Sequence, residues 1–155
     1  MDLLYGILSA EFPGIRGHAG KTGKGLAMKQ KQFVAIRHHL GKTQNQMAQI
    51  LGVSPKAVQS FEQGWRKIPV HVERQTLFIL ALMHQASEKG KPCWTTRHCP
   101  EERKQECPAW QFNAGHLCWF INGTICEGRP RGNWKSKIII CSECEVYKSI
   151  LPQKI

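Results

Sequence analysis

The 155-residue sequence has few acidic residues, no cysteine before Cys93 and no long hydrophobic run. Its 11 Asp and Glu face 22 Lys and Arg, a formal net charge of +11, which favours nucleic acid or another polyanion as the partner. The longest apolar run, Leu77–Met83, is too short to cross a bilayer, so we expect no membrane association. Because the first residues also lack the basic and apolar regions of a signal peptide, we expect a cytoplasmic protein.

The cysteines divide the chain into two parts. All seven lie between Cys93 and Cys144, and the Lys-Gly-Lys-Pro string at 89–92 precedes them as a boundary signal. We therefore predict a flexible glycine-rich extension at 1–27, a helical domain at 28–88, a linker at 89–92 and a cysteine-rich module at 93–152.

Two helices are predicted after Met28. Phe33, Ile36 and Leu40 recur at helical spacing, and Gly41 ends this first helix. Thr43 is placed to cap a second helix that runs over residues 44–51.

A third helix is predicted directly behind a tight turn. Gly52 suits a backbone with positive φ, Ser54 is a capping residue, and Pro55 stands at the first helical position, where its missing N–H costs nothing. This third helix should stop near Gly64. Small Ala48 allows the second and third helices to approach closely, which is typical of two helices that cross at a sharp angle.

Residues 41–69, GKTQNQMAQILGVSPKAVQSFEQGWRKIP, resemble the Cro/phage-repressor (XRE-type) helix-turn-helix family. The resemblance covers roughly residues 30–86. It implies a bundle of four to five helices, in which the third lies in the DNA major groove and the Val70–Met83 run supplies the fourth helix and the start of a fifth. Glu62 is expected to be structural.

The third helix carries side chains suited to reading base edges. Lys56 is expected to donate to guanine, Gln59 to pair with adenine, and Ser60 to contact a base or sugar. The whole predicted DNA-contacting set is Gln44, Ser54, Pro55, Lys56, Ala57, Gln59, Ser60, Trp65, Arg66 and Lys67. The other interpretation is a protein-docking module in which Lys56 and Gln59 merely face solvent.

We expect double-stranded DNA as the partner and a homodimer as the assembly. Members of the resembled family usually dimerise to read two half-sites. The Leu77–Met83 run has more apolar surface than a small bundle can hide, which is consistent with a dimer.

The cysteine-rich half contains a repeated Cys-Trp dipeptide, at Cys93 and at Cys118, and one C-x2-C motif at Cys141 and Cys144. The C-x2-C pair is the strongest local metal-ligand signal, because it presents two thiolates from a single turn. An odd number of cysteines in a reducing compartment makes structural disulfides the weaker interpretation.

The segment from about Pro92 to Pro152 is similar to the "two-CW" cysteine-rich modules, through its Cys-Trp, Cys-Pro-Ala, Gly-Thr-x-Cys and Cys-Glu-Val-Tyr-Lys motifs. The resemblance implies no particular cofactor, so the chemistry rests on the donors. The candidate metal ligands are Cys93, Cys99, Cys107, Cys118, Cys126, Cys141 and Cys144. We expect an iron–sulfur cluster first, zinc as the alternative and a thiol–disulfide switch third.

We therefore predict a mainly α protein: a helix-turn-helix bundle joined to a small, irregular, metal-stabilised cysteine-rich domain. Its predicted function is sequence-specific transcriptional regulation with a redox- or metal-sensing module. The alternative is a DNA-binding protein whose second half is a structural zinc-bound interaction domain. We expect neither an enzyme nor a small-molecule substrate, because no serine-elbow, phosphate-loop or zinc-protease motif is present in the cysteine-rich half.

Overall fold

The computed structural model describes residues 27–85 and 90–150 of the chain. The prediction of a mainly α protein is confirmed. The described part contains α1 Gln30–His39, α2 Gln44–Leu51, α3 Pro55–Glu62, α4 Val70–Gln85, α5 Cys93–Thr96, α6 Glu101–Glu106, α7 Pro108–Gln111, β1 Thr124–Cys126, β2 Arg129–Arg131, α8 Trp134–Ser142 and α9 Glu145–Ile150. The flexible extension predicted at 1–27 lies outside the described residues apart from Ala27, as do residues 86–89 and 151–152 of the other predicted segments.

Capping residues mark where α2 and α3 begin and where α2 ends. Thr43 Oγ1 accepts from the backbone N–H of Gln46 at 3.2 Å, and Ser54 Oγ accepts from that of Ala57 at 3.1 Å. Gly52 ends α2 with a left-handed backbone at φ 64°, a conformation that glycine adopts without steric penalty. The predicted bounds of α2 and α3 therefore agree with the structure.

The fourth helix is a single 16-residue element, with no break between a fourth and a fifth helix. It contacts the first three helices through one core cluster and the cysteine-rich half through another. Val72 belongs to a core with Phe33, Met47 and Val58, whereas Leu80 belongs to the core that contains Trp119. This helix therefore links the two halves of the chain.

The cysteine-rich half consists of five short helices and one hairpin in the described residues. The hairpin pairs β1 with β2 in antiparallel register, with Cys126 opposite Arg129. Its two turn residues, Glu127 at φ 55° and Gly128 at φ 74°, both have the left-handed backbone that a tight hairpin requires.

The second core crosses the boundary that the sequence predicts between the halves. It combines Ile36, Leu77 and Ala81 from the first half with residues such as Trp119 and Ile138 from the second. Because Leu77, Leu80 and Ala81 are buried within the chain, most of the predicted dimer surface is already covered. Leu82 and Met83 remain exposed, and the homodimer stays a prediction.

No helix within 27–85 or 90–150 has the length and apolarity needed to cross a bilayer.

Candidate nucleic-acid interface and cysteine cavity

The third helix buries one face and exposes the side chains predicted to read DNA. Val58 and Phe61 are buried in the first core, as their spacing along the helix requires. Pro55, Lys56 and Gln59 are exposed, and Ala57 is half-buried. Lys56 and Gln59 are thus accessible to a ligand on the outer face of α3.

The two predicted serine contacts differ from one another. Ser54 is exposed, with its hydroxyl oxygen engaged as the cap of α3. Ser60 is half-buried, and its hydroxyl donates to the backbone oxygen of Lys56 at 2.8 Å. Because its proton is used inside the helix, Ser60 is a weaker candidate for base readout than Lys56 or Gln59.

Gln44 belongs to a polar network that holds three helices together. Its amide Nε2 donates to Glu62 Oε2 at 2.6 Å, and Arg37 forms an ion pair with the same carboxylate. Burial acts to raise the pKa of Glu62, but the hydrogen bonds from Arg37 and Gln44 and the nearby positive charge leave this pKa below its ordinary value. Glu62 is therefore structural, as predicted, and its network fixes Gln44 at the start of α2.

The segment after α3 is exposed and basic. Trp65 is 75% exposed, and Arg66 and Lys67 are also exposed. The backbone N–H groups of Trp65 and Arg66 donate to Ser60 O at 3.0 and 3.3 Å, so the segment folds back over the end of α3. The exposed basic segment therefore begins directly at the C-terminal end of α3.

Positive charge on residues 27–85 is almost unopposed. This segment contains eight Lys and Arg and two Glu, a net charge of +6 (8 − 2). One of the two carboxylates, Glu62, is paired with Arg37, and the other, Glu73, is only 4% exposed. The outer surface of residues 27–85 thus presents its cations without a competing exposed carboxylate from that segment, as a phosphate-binding surface requires.

In the second half, five of the seven cysteines line one cavity of about 340 Å³. They are Cys93, Cys99, Cys107, Cys118 and Cys126. The cavity lies between α5, α6, α7 and the β1 strand, so residues far apart in the sequence converge there. Cys107 and Cys118 are buried, whereas the other three are half-buried.

The two Cys-Trp dipeptides meet at this cavity. Cys93 and Cys118 are joined by a side-chain hydrogen bond, which is the main cause of a lowered pKa at Cys93. The same hydrogen bond, followed by burial and by the neighbouring thiols of Cys93, Cys126 and Cys141, raises the pKa of Cys118. The backbone N–H of Ile125 also donates to Cys107 Sγ at 3.4 Å. The thiols therefore form one interacting group.

The C-x2-C pair lies outside the cavity lining. Cys141 is buried near the end of α8, and Cys144 follows in the next turn. The backbone N–H of Cys144 donates to Cys141 O at 2.9 Å. Burial raises the pKa of Cys141 to about 11. The strongest local ligand signal in the sequence thus lies beside the cavity and near Cys118 and Cys126, but does not line the cavity.

Lys137 is a central residue that the sequence reasoning missed. It is 1% exposed, and its Nζ donates to Ile121 O and to Thr124 Oγ1, both neutral acceptors. Burial lowers the pKa of Lys137, while the nearby thiols of Cys141, Cys118, Cys126 and Cys107 act to raise it. The signal was present in the α8 sequence, because Lys137 lies one turn before Cys141 on the buried face.

The two tryptophans of the repeated dipeptide have different positions. Trp119 is 0% exposed and packs against Phe120, Trp134 and Tyr147 in the second core. Trp94 lines the cavity and meets Trp110 edge-on, with ring centroids 4.8 Å apart. One tryptophan is a core anchor, and the other forms a wall of the cavity.

Across the described residues, no three His, Cys, Asp or Glu side chains are arranged as a ready site for a metal ion. The iron–sulfur cluster and zinc therefore stay predictions. His98 lines the cavity but is exposed, with a left-handed backbone at φ 47°.

Comparisons with protein-family models, with curated proteins and with solved structures give no match for this chain.

Proposed function

We propose that this chain is a sequence-specific DNA-binding regulator, that its first four helices form a helix-turn-helix bundle, and that its cysteine-rich half is a sensing module. The observation that carries the proposal is the exposed face of α3, with Lys56 and Gln59, on a half without an exposed carboxylate in its described residues. Lysine and glutamine supply the donors and acceptors that guanine and adenine edges pair with.

Phosphate contacts would come from the flanks of the same face. The N-terminus of α2, where Gln44 stands, carries the partial positive charge of a helix end, and Arg66 and Lys67 follow α3 as exposed cations. Such contacts set the register of the protein on the duplex, while α3 reads the bases.

The link between the two halves supports a sensing role. Arg74 Nη2 donates to Phe120 O at 2.8 Å, and Gln75 Nε2 donates to Ile50 O at 2.9 Å. Through α4, a rearrangement around the cysteines would reach the backbone of α2, directly before the recognition helix. Binding or loss of a centre in the module would in this way change DNA affinity.

The test is selection of duplexes from a random-sequence library by the full chain, followed by binding measurements over a series of salt concentrations. We expect one enriched sequence and an affinity that falls steeply as salt rises, because bound phosphates release counterions. Gln59→Ala should change the enriched sequence, whereas Gln49→Ala, an exposed glutamine on α2, should not. Absence of enrichment together with salt-insensitive binding would contradict the proposal.

A second candidate function is a protein-interaction module in the cysteine-rich half. It is favoured by Phe112, which is 72% exposed at the end of α7 beside the 37% exposed Trp110. The interaction module predicts that DNA affinity is the same whether or not the cysteines hold a centre, whereas the sensing module predicts a difference.

A further inference from the structure

The cavity lined by five cysteines is large for a single ion. Its volume of about 340 Å³ is many times the roughly 10–15 Å³ that a cavity needs to hold one water molecule. A zinc ion with four sulfur ligands at ~2.3 Å would leave little open space between them. The space and the number of thiols suit a polynuclear centre better.

The surroundings of the cavity suit an anionic centre. Arg97, Arg103 and Lys104 line it together with the thiols, and buried Lys137 reaches Thr124, another lining residue. Glu127 also lines the cavity and pairs with Arg97 at 3.1 Å, and Lys104 pairs with Glu101 at 2.8 Å, so Arg103 and Lys137 are the cations that favour an anionic centre most. The guanidinium of Arg103 lies over Gly128 in the hairpin turn, where an added Cβ would approach its Cζ to 3.4 Å. A cluster held by four thiolates carries negative charge, which these cations would balance.

The cavity also has the hydrogen bonding and the shielding from water that cluster sites use. The Ile125 N–H donates to Cys107 Sγ, and donors of this kind tune the potential of sulfur-ligated centres. Trp94 and Trp110 cover one side as an edge-to-face pair. Gly115 allows this arrangement, because a Cβ there would come within 2.6 Å of the Trp94 ring.

Cys99 differs from the other four cysteines of the cavity. It follows the exposed His98, and the exposed Pro100 comes directly after it, so it lies at the mouth. Cys93, Cys118 and Cys126 interact with one another, and Cys107 lies near Cys126 and accepts the Ile125 N–H. Cys99 also lies near Cys93 and Cys107, so its position at the mouth is what distinguishes it.

We propose that Cys93, Cys107, Cys118 and Cys126 hold an iron–sulfur cluster in this cavity, a proposal that rests on the sensing module proposed above. Cys99, Cys141 and Cys144 lie outside the ligand set. When bound, the cluster supplies one-electron redox chemistry. The chain contributes four thiolates, an amide donor to sulfur, a cationic surround and an indole wall against water.

The first experiment reconstitutes the full chain anaerobically with ferrous iron and sulfide, then measures visible absorption, iron and acid-labile sulfide. We expect a brown protein with equal amounts of iron and sulfide. Serine in place of Cys93, Cys107, Cys118 or Cys126 should abolish the colour, whereas Cys99→Ser, Cys141→Ser and Cys144→Ser should keep it. A colourless protein that takes up zinc and no iron overturns the proposal, as does loss of the cluster in any of the three control variants.

A second measurement needs no substitution and so does not depend on the folding of a variant. Cys93, Cys99, Cys126 and Cys144 are all half-buried, so their alkylation rates can be compared before and after reconstitution. Alkylation requires a free thiolate, which a ligand of the cluster no longer offers. We therefore expect the alkylation rates of Cys93 and Cys126 to fall by at least about tenfold, while those of Cys99 and Cys144 change by less than about twofold. Protection of Cys144, with Cys93 or Cys126 left reactive, would overturn the ligand assignment.

These readouts are independent of DNA. A chain that binds iron and sulfide at the four cysteines but shows no affinity for duplex would contradict the proposed function alone. A chain that binds DNA but takes up no iron would contradict only the cluster.

Discussion

Arg74 and Gln75 are neighbours in α4 that hydrogen-bond to opposite halves of the chain. The guanidinium of Arg74 donates to Phe120 O in the cysteine-rich half and lies 4.7 Å from the centroid of the Phe120 ring. The amide of Gln75 donates to Ile50 O in α2. One turn of one helix therefore joins the backbone of α2 to the cysteine-bearing core.

Replacing Arg74 should weaken this junction. Arg74→Met removes a hydrogen bond from a charged donor and a cation–π contact, so we expect a loss of about 1–3 kcal/mol in the free energy of unfolding. Urea denaturation measures it. Arg129→Met, at an exposed residue of the hairpin, is the matched control and should change stability by less than about 0.5 kcal/mol. Equal losses in the two variants would show that Arg74 holds nothing together.

The ion pair of Glu62 predicts a specific pH dependence of stability. Its pKa lies below the ordinary value of 4.5 in the folded chain, so the carboxylate stabilises the fold above the unfolded pKa, and this contribution is lost as pH falls through the folded pKa. Glu62→Gln should cost about 1–3 kcal/mol at neutral pH. The difference from the parent chain should shrink as pH falls below 4.5.

The control for this titration is Glu102→Gln, at an exposed position of α6. Its unfolding curves should follow those of the parent chain throughout the pH series. A Glu62→Gln deficit that stays constant down to strongly acidic pH would mean that the effect comes from packing rather than from the charge of the carboxylate.

The two tryptophans of the repeated dipeptide should respond differently to truncation. Trp119→Ala removes a fully buried ring, and we expect a loss of about 3–5 kcal/mol in unfolding free energy. Trp94→Ala removes a half-buried wall of the cavity, so it should cost less and instead speed the alkylation of Cys93 and Cys99. Thermal denaturation and mass mapping measure the two effects. Equal destabilisation without a change at the thiols would contradict the division of roles.

Lys137 should matter more to the loaded module than to the empty one. Its two hydrogen-bond acceptors are neutral, so Lys137→Met relieves the desolvation of a buried cation but takes a donor from Ile121 O and from Thr124 Oγ1. Because these two effects oppose each other, we expect metal-free Lys137→Met to unfold within about 2 kcal/mol of the parent chain, but to retain less iron after reconstitution. Lys135→Met, an exposed lysine on the same helix, is the control and should retain iron fully.

The helices of the first half could be predicted from the sequence because their signals are local. Thr43, Gly52, Ser54 and Pro55 act through the backbone within a few residues of their own positions, so the bounds of α2 and α3 follow from them. The packing of the two halves against each other could not be predicted in this way. Leu77 and Ala81 are buried by residues of the cysteine-rich half, and no local signal in α4 indicates that partner.

The cysteine cavity could not be predicted from spacing. Cys93, Cys107 and Cys126 come together through short helices and a hairpin, none of which is set by a local motif as compact as C-x2-C. From the sequence alone, Cys141 and Cys144 are the safest candidate ligands, because the C-x2-C spacing is enough to bring them close together. The role of Lys137 depended likewise on tertiary placement, although the helical period of α8 puts it on the face of Cys141.

DNA binding by the outer face of α3 is tested most directly by comparing Lys56→Ala with Lys91→Ala in fluorescence anisotropy with the selected duplex. Both lysines are exposed, so the two variants lose the same charge from different surfaces. Our account predicts a loss of about 1–3 kcal/mol in binding free energy for Lys56→Ala, with relaxed sequence preference, and little change for Lys91→Ala. Equal affinities for the two variants and the parent chain would contradict it.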